Sequence, residues 1–178
     1  MSEKLTPEMP MQRVLQVMPG AQRALFRKFH IGGCSSCAFQ PGETIQQLAA
    51  RNQLDANEII SHLEKSHEAD LELLIEPKEL AKVLATIRLI DVRSREEFEA
   101  THLDGAVLMS QSTMQEILSK WPRENPIVIY DHRGQQGLDA AAYFLGQGFK
   151  NVRTLRGGLD AWSKEVDSKI PRYKLELA

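Results

Sequence analysis

Apolar positions recur at helical spacing through about residue 75, and from Ile87 onward short β-rich runs alternate with helical stretches. In the first part, Thr6-Pro7 reads as a helix cap followed by a first-turn proline, with Val14, Leu15 and Met18 on one face until Pro19-Gly20. A second helix over about Ala21 to Phe29 presents Leu25, Phe26 and Phe29, and Gly32-Gly33 ends it. A third, from Thr44, buries Ile45, Leu48 and Ala49. Asp55, with Glu58 three residues on, caps a fourth that aligns Ile59, Ile60 and Leu63. The polar run Glu64 to Asp70 is either the fraying end of that helix or a linker, and the boundary is placed there: a small all-α domain over 1–70 and an α/β domain over 71–178.

In the second part, Pro77 suits a first helical position ahead of Leu80, Val83 and Leu84, and Ile87 to Val92 reads as a buried strand. Ser94 with Glu97 forms a capping box for a helix through about Ala100. An apolar run Ala106 to Met109 and a helix near Met114 to Lys120 follow. Ile127-Val128-Ile129-Tyr130 is apolar throughout, as a central parallel strand should be. A loop from Asp131 to Gln136, a helix from Gly137 to about Gln147 and a strand from Val152 to Leu155 complete the alternation, which predicts a parallel sheet covered on both faces.

Composition narrows the function classes. With 22 Lys+Arg against 24 Asp+Glu and a net charge of −2, the chain has no overall basic field for nucleic acid or anionic lipid. A helix-turn-helix over Thr44 to Lys65 is disfavoured as well, because residues 1–76 carry 7 basic and 10 acidic side chains that would repel phosphate. No stretch approaches the ~18 consecutive apolar residues of a membrane span. Met1-Ser2-Glu3-Lys4 lacks the apolar core of a secretion signal, so the expected compartment is the reducing cytoplasm.

Several spaced motifs in the second half carry a family likeness. Leu89-Ile90-Asp91-Val92-Arg93, Glu97-Phe98, His102-Leu103, Gly105-Ala106, Ile127 to Tyr130, Gly134, Gly148-Phe149-Lys150-Asn151-Val152, Leu155, Gly157-Gly158 and Asp160-Ala161-Trp162 occur in order over roughly Pro77 to Val166. This pattern resembles the rhodanese family of sulfurtransferases. The resemblance implies a five-stranded parallel α/β domain whose active loop joins a central strand to a helix N-terminus. Such a loop gathers backbone N–H groups around one point and favours an anion. In active rhodaneses that anion is a cysteine thiolate or persulfide, with a glycine three positions on, then arginine and a hydroxyl residue.

Here the matching run is Asp131-His132-Arg133-Gly134-Gln135-Gln136-Gly137. Asp131 takes the cysteine position, Gln136 the arginine position and Gly137 the hydroxyl position. A carboxylate cannot accept and donate sulfane sulfur, so the resemblance implies the fold without its ping-pong chemistry. Asp131 would stand in permanently for the thiolate, as in inactive family members that serve structural or regulatory roles. The loop length from Asp131 to Gln136 matches the sulfur-handling branch rather than the longer phosphatase branch. An alternative is that Asp131, His132 and Arg133 perform acid–base or anion-binding chemistry, although adjacent residues on a turn rarely all point inward.

The chain has two cysteines, Cys34 and Cys37, and both lie in the helical half. The segment Phe29 to Phe39, followed by Thr44-Ile45, resembles a small helical CxxC redox-disulfide domain associated with hybrid-cluster proteins. Local charge adds an independent argument: no acidic residue lies between Glu8 and Glu43, whereas Arg13, Arg23, Arg27, Lys28 and His30 do. A positive setting raises the thiolate fraction, which makes Cys34 the attacking thiol and Cys37 the resolving one. A structural disulfide closing so short a loop stabilises by only roughly 2 kcal/mol and would be reduced in the cytoplasm. Two inert buried thiols are another reading. A third is metal: the two thiolates are half of a four-ligand zinc or iron–sulfur site, completed across a dimer or by His30, His62 and His67.

The expected function is therefore a cytoplasmic thiol-redox or sulfur-handling protein using Cys34 and Cys37. It requires no cofactor and works with a redox or sulfur-relay protein partner, while a degenerate loop of Asp131, His132, Arg133, Gly134, Gln135 and Gln136 serves docking or regulation. The alternative is a non-enzymatic binding module whose cysteines are incidental or hold zinc or an iron–sulfur cluster.

Overall fold

The helical spacing of the N-terminal part becomes helices α1 (Met11–Val17), α2 (Ala21–Phe29), α3 (Ile45–Arg51) and α4 (Ala56–Glu72) in the computed structural model, which describes residues 3–32 and 39–173. The chain divides into one unit ending at Glu72 and another beginning at Leu73. Thr6-Pro7 forms a turn instead of a helix start, closed by the Met9 N–H donating to the Thr6 carbonyl at 3.0 Å, and α1 begins after Pro10. That displacement lets residues 7–12 pair with 41–46: Met11 N–H donates to Glu43 O at 2.8 Å and Ile45 N–H to Met9 O at 3.1 Å.

Helix α2 ends at Phe29, as its spacing predicts, and is capped by His30, whose left-handed φ of 57° lets its N–H return to the carbonyls of Leu25 and Phe26. Its buried face is Ala21, Ala24 and Leu25, whereas Phe26 is exposed, because the helix packs through small residues. Thr44 and Gln47 complete a capping box on α3, and Asp55 Oδ1 accepts the Asn57 N–H at 2.6 Å at the start of α4. The polar run from Glu64 belongs to α4, which continues to Glu72 because Asp70 is buried against Arg23 of α2. The core of this unit gathers Met11, Val14, Leu25, Ile45, Leu48, Ile59 and Leu63.

The second unit is an α/β structure. Its strands are β1 (Leu74–Ile75), β2 (Arg88–Asp91), β3 (Ala106–Leu108), β4 (Ile127–Tyr130) and β5 (Val152–Leu155). All pair in parallel, in the order β1-β5-β4-β2-β3. Its helices are α5 (Pro77–Val83), α6 (Arg95–Ala100), α7 (Gln111–Lys120), α8 (Gly137–Gly146) and α9 (Gly158–Glu165). The two-residue β1 and the helix α9 escape pattern reading, the first because it is too short to show alternation and the second because it opens on two glycines.

Strand alternation sorts the sheet into two cores. Leu89, Val128, Tyr130 and Leu155 pack with Leu80, Leu159 and Trp162 on one face. Ile90, Ile127, Ile129 and Val152 meet Ile117, Ala141 and Phe144 on the other. Central β4 is buried at every position, which explains why its sequence shows no polar alternation. Among the described residues, no helix is long and apolar enough to cross a membrane.

Ile129 is fully buried at the middle of this strand. Ile129→Ala is expected to lower the unfolding free energy by about 2–5 kcal/mol in urea titration, whereas Ser94→Ala, which removes the α6 capping box, is expected to lower it by about 1 kcal/mol.

Candidate functional site

Strand β4 delivers the chain into the loop of residues 131–136, and α8 receives it, so the loop lies at the carboxyl edge of the sheet. Asp131 turns back into this loop and is only 3% exposed. Its Oδ1 accepts the N–H groups of Arg133 at 2.6 Å and of Gly134, and its Oδ2 accepts the N–H of Gly137, the first residue of α8, at 2.7 Å. Gln136, the residue before α8, makes no side-chain cap. Asp131 therefore caps the helix from six positions upstream, placing a negative charge at its positive end.

The loop is also held from outside. Leu159 N–H donates to Asp131 O at 2.9 Å and Asp160 N–H to His132 O at 3.1 Å, so the first turn of α9 binds the loop's carbonyls. This close approach requires glycine twice. A Cβ on Gly158 would come within 2.6 Å of the His132 carbonyl carbon, and one on Gly134, at φ 79°, would lie 2.7 Å from Gly157 N.

Beside the loop stands a buried ion pair. Asp91, the last residue of β2, receives Arg93 through Nε at 3.0 Å and Nη2 at 2.6 Å, and both side chains are essentially inaccessible. Burial opposes the charge on Arg93, but the paired carboxylate and the Tyr173 hydroxyl outweigh it and raise the guanidinium's proton affinity above its ordinary value. Burial and the nearby Asp91 carboxylate likewise push the Tyr130 phenol upward.

Arg93 also donates to the Thr101 carbonyl at 2.7 Å and to the Tyr173 hydroxyl at 2.7 Å. Tyr173 in turn donates to Glu97 Oε1 at 2.6 Å, and its ring stacks on His132 with centroids 4.3 Å apart. Burial and the bond to Glu97 raise the Tyr173 phenol to about 12, so it remains a neutral donor at physiological pH. Burial pushes the Glu97 carboxyl up, yet the Tyr173 hydroxyl and the Ser94 cap more than offset this and hold it below its usual range.

A cavity of about 280 Å³ opens here, lined by Arg93, Glu97, Asp131, His132, Arg133, Gln135 and Gln136. The structure thus brings Asp131, His132, Arg133, Gln135 and Gln136 to one cavity, with Gly134 supplying the turn between them. Asp131 and His132 are buried while Arg133 is exposed. Cys34 and Cys37 lie outside the described residues. His30 caps α2, and the His62 ring bonds the Ala24 carbonyl at 3.0 Å and packs edge-on against Phe29. Among the described residues, no three histidine, aspartate or glutamate side chains are grouped to hold a metal ion.

Arg93, Glu97 and Tyr173 were not singled out from the sequence as site residues. An aspartate closing an apolar strand is a signal that a cation must be near, and Arg93 stands two residues on. Nothing in the local pattern could place Tyr173, 80 positions away from Arg93, against it.

A rhodanese-like domain model matches residues 76–165. The chain belongs to the rhodanese-like family. Over 110 residues it is 34% identical to the adenylyltransferase and sulfurtransferase UBA4 of Candida albicans, spanning 56% of this chain and 25% of that protein. Over 74 residues it is 31% identical to the thiosulfate sulfurtransferase GlpE of Pseudomonas savastanoi, spanning 42% of this chain and 70% of that one. The chain therefore covers about a quarter of the length of the first relative and most of the second. Among solved structures, reduced CoADR-RHD of Bacillus anthracis aligns over 65% of this chain and 20% of its own with a TM-score of 0.51; at 19% identity this supports the fold alone.

Within the rhodanese-like domain, Arg93→Met leaves Asp91 buried without its cation and is expected to cost about 3–5 kcal/mol of stability, measured by urea unfolding. Acid should act through the lowered carboxyls. Asp160, hydrogen-bonded by Arg172 and Lys164, is held at about 2 against an ordinary 3.8. A depressed carboxyl contributes stability that is present above its unfolded value and lost as pH falls through its folded one. Unfolding free energy should therefore fall between pH 3.8 and about 2, with the Glu97 contribution starting to fall from 4.5. Asp160→Asn should flatten that slope in denaturant titrations at stepped pH.

Proposed function

We propose that this protein carries out thiol–disulfide or persulfide chemistry at Cys34 and Cys37, in a reducing cytoplasm and with a redox or sulfur-relay protein as partner. Its rhodanese-like domain supplies docking or regulation without transferring sulfur. The observation that carries the second half is the triply donated carboxylate: Asp131 accepts the N–H groups of Arg133, Gly134 and Gly137, where active family members hold a thiolate or persulfide. The loop's anion preference is satisfied internally and permanently. A carboxylate oxygen there has no sulfur to pass on.

The first half is supported by the sequence. The relatives named as sulfurtransferases place the family in sulfur chemistry, yet this chain's two cysteines both lie before the family domain, in a segment free of acidic residues. In a dithiol cycle, the Cys34 thiolate attacks a partner disulfide to form a mixed disulfide, and Cys37 resolves it by displacing the partner's thiolate.

Cys34→Ser is expected to abolish thiol–disulfide exchange and persulfide transfer, while Asp131→Asn lowers stability by about 1–3 kcal/mol and leaves both reactions unchanged. Absence of both reactions in the native protein would refute the proposal. So would thiosulfate:cyanide sulfurtransferase activity that survives in the Cys34/Cys37 double variant. Zinc or iron found by elemental analysis of anaerobically prepared protein would replace dithiol cycling with a metal-bound resting state.

A further inference from the structure

A second cavity, of about 470 Å³, is lined by His132, Arg133, Asp160, Lys164, Arg172 and Tyr173. Three chain segments contribute its cations: Arg133 from the loop, Lys164 from the last turn of α9, and Arg172 from the segment that follows. Among the described residues, Asp160 is its one carboxylate. It draws two of the cations together, accepting from Lys164 Nζ at 2.6 Å and from Arg172 Nε at 2.7 Å.

Those bonds use one hydrogen of the ammonium and the Nε edge of the guanidinium. The other ammonium hydrogens and both terminal nitrogens of Arg172 remain to serve a ligand. One negative charge against three positive ones leaves an excess of two. For a network whose role is only to tie α9 to the chain end, one cation would suffice, and exposed pairs of this kind stabilise little. Asp160 itself is fixed, since its N–H donates to the His132 carbonyl at 3.1 Å. The C-terminal segment is anchored by the Ser163 hydroxyl donating to Ile170 O at 2.6 Å and by Tyr173 stacking on His132. Lys164 and Arg172 are therefore held before any ligand arrives, which reduces the ordering cost of binding.

We propose that this cavity binds a tetrahedral dianion, free phosphate or a small phosphomonoester, with Arg172 and Lys164 as its principal donors and Arg133 completing the charge. The site shares His132 and Arg133 with the cavity under Asp131 but depends on neither Asp131 nor either cysteine, so its failure would leave the proposed function standing.

The test is titration of the full-length protein at constant ionic strength with inorganic phosphate and, separately, phenyl phosphate, followed by amide NMR and calorimetry. Saturable shifts are expected at the amides of His132, Arg133, Lys164 and Arg172. Arg172→Gln and Lys164→Gln are each expected to weaken binding about ten-fold, the loss of one charge-assisted hydrogen bond. Tighter binding of phenyl phosphate would assign the site to esters, packed against Tyr173, and equal binding would assign it to the free anion. The proposal is overturned if neither anion saturates at millimolar concentration, or if the affinity is the same in both folded variants. Shifts centred on Gly134 and Gly137 instead would also overturn it, by placing the anion in the loop cavity.

Discussion

Three backbone N–H groups converging on the Asp131 carboxylate hold together the carboxyl edge of the sheet. A loop leaving a fully buried strand exposes donors that must find acceptors, and a helix beginning immediately afterward adds its own. Asp131 meets both needs with one side chain. Its backbone carbonyl and that of His132 then receive the first turn of α9. The loop conformation, the start of α8 and the seat of α9 are consequently one coupled arrangement. The glycines at 134 and 158 are the positions where backbones approach too closely for any side chain.

The buried Asp91–Arg93 pair extends this arrangement outward. A charge closing an apolar strand is tolerated only with its partner in place, and here the partner reaches further, to Thr101 and Tyr173. Through Tyr173 the C-terminal segment is fastened to Glu97 and laid on His132. The two cavities share His132 and Arg133, and Tyr173, which stacks on His132, lines the second of them. A residue 41 positions from His132 in sequence thereby lines the second cavity beside it.

Legibility varied with the range of the interactions. Helices α2 and α3, the α6 capping box and strands β2, β4 and β5 rest on local spacing and caps, and each stands close to where the pattern placed it. The start of α1 and the exposure of Phe26 were misread because both depend on what packs alongside: residues 41–46 pair with the segment before α1, and α2 buries its small residues. The loop was legible from the apolar strand before it and the helix after it, with Asp131 as its first residue. Its hydrogen-bond partners follow from the turn that a carboxylate imposes at that point.

The sequence alone determined that a helical segment precedes a parallel α/β unit, that Asp131 directly follows the apolar strand Ile127–Tyr130, and that Cys34 and Cys37 precede that unit. These are matters of residue identity and short-range periodicity, which a linear chain displays directly. Only the tertiary structure decided that Arg93 is buried on Asp91, that Tyr173 stacks on His132, and that Arg133, Lys164 and Arg172 line one cavity with Asp160. The links of Tyr173 to Arg93 and His132, and of Arg133 to Lys164 and Arg172, join residues tens of positions apart, and they arise from the way parallel strands bring their carboxyl ends and following loops to one edge.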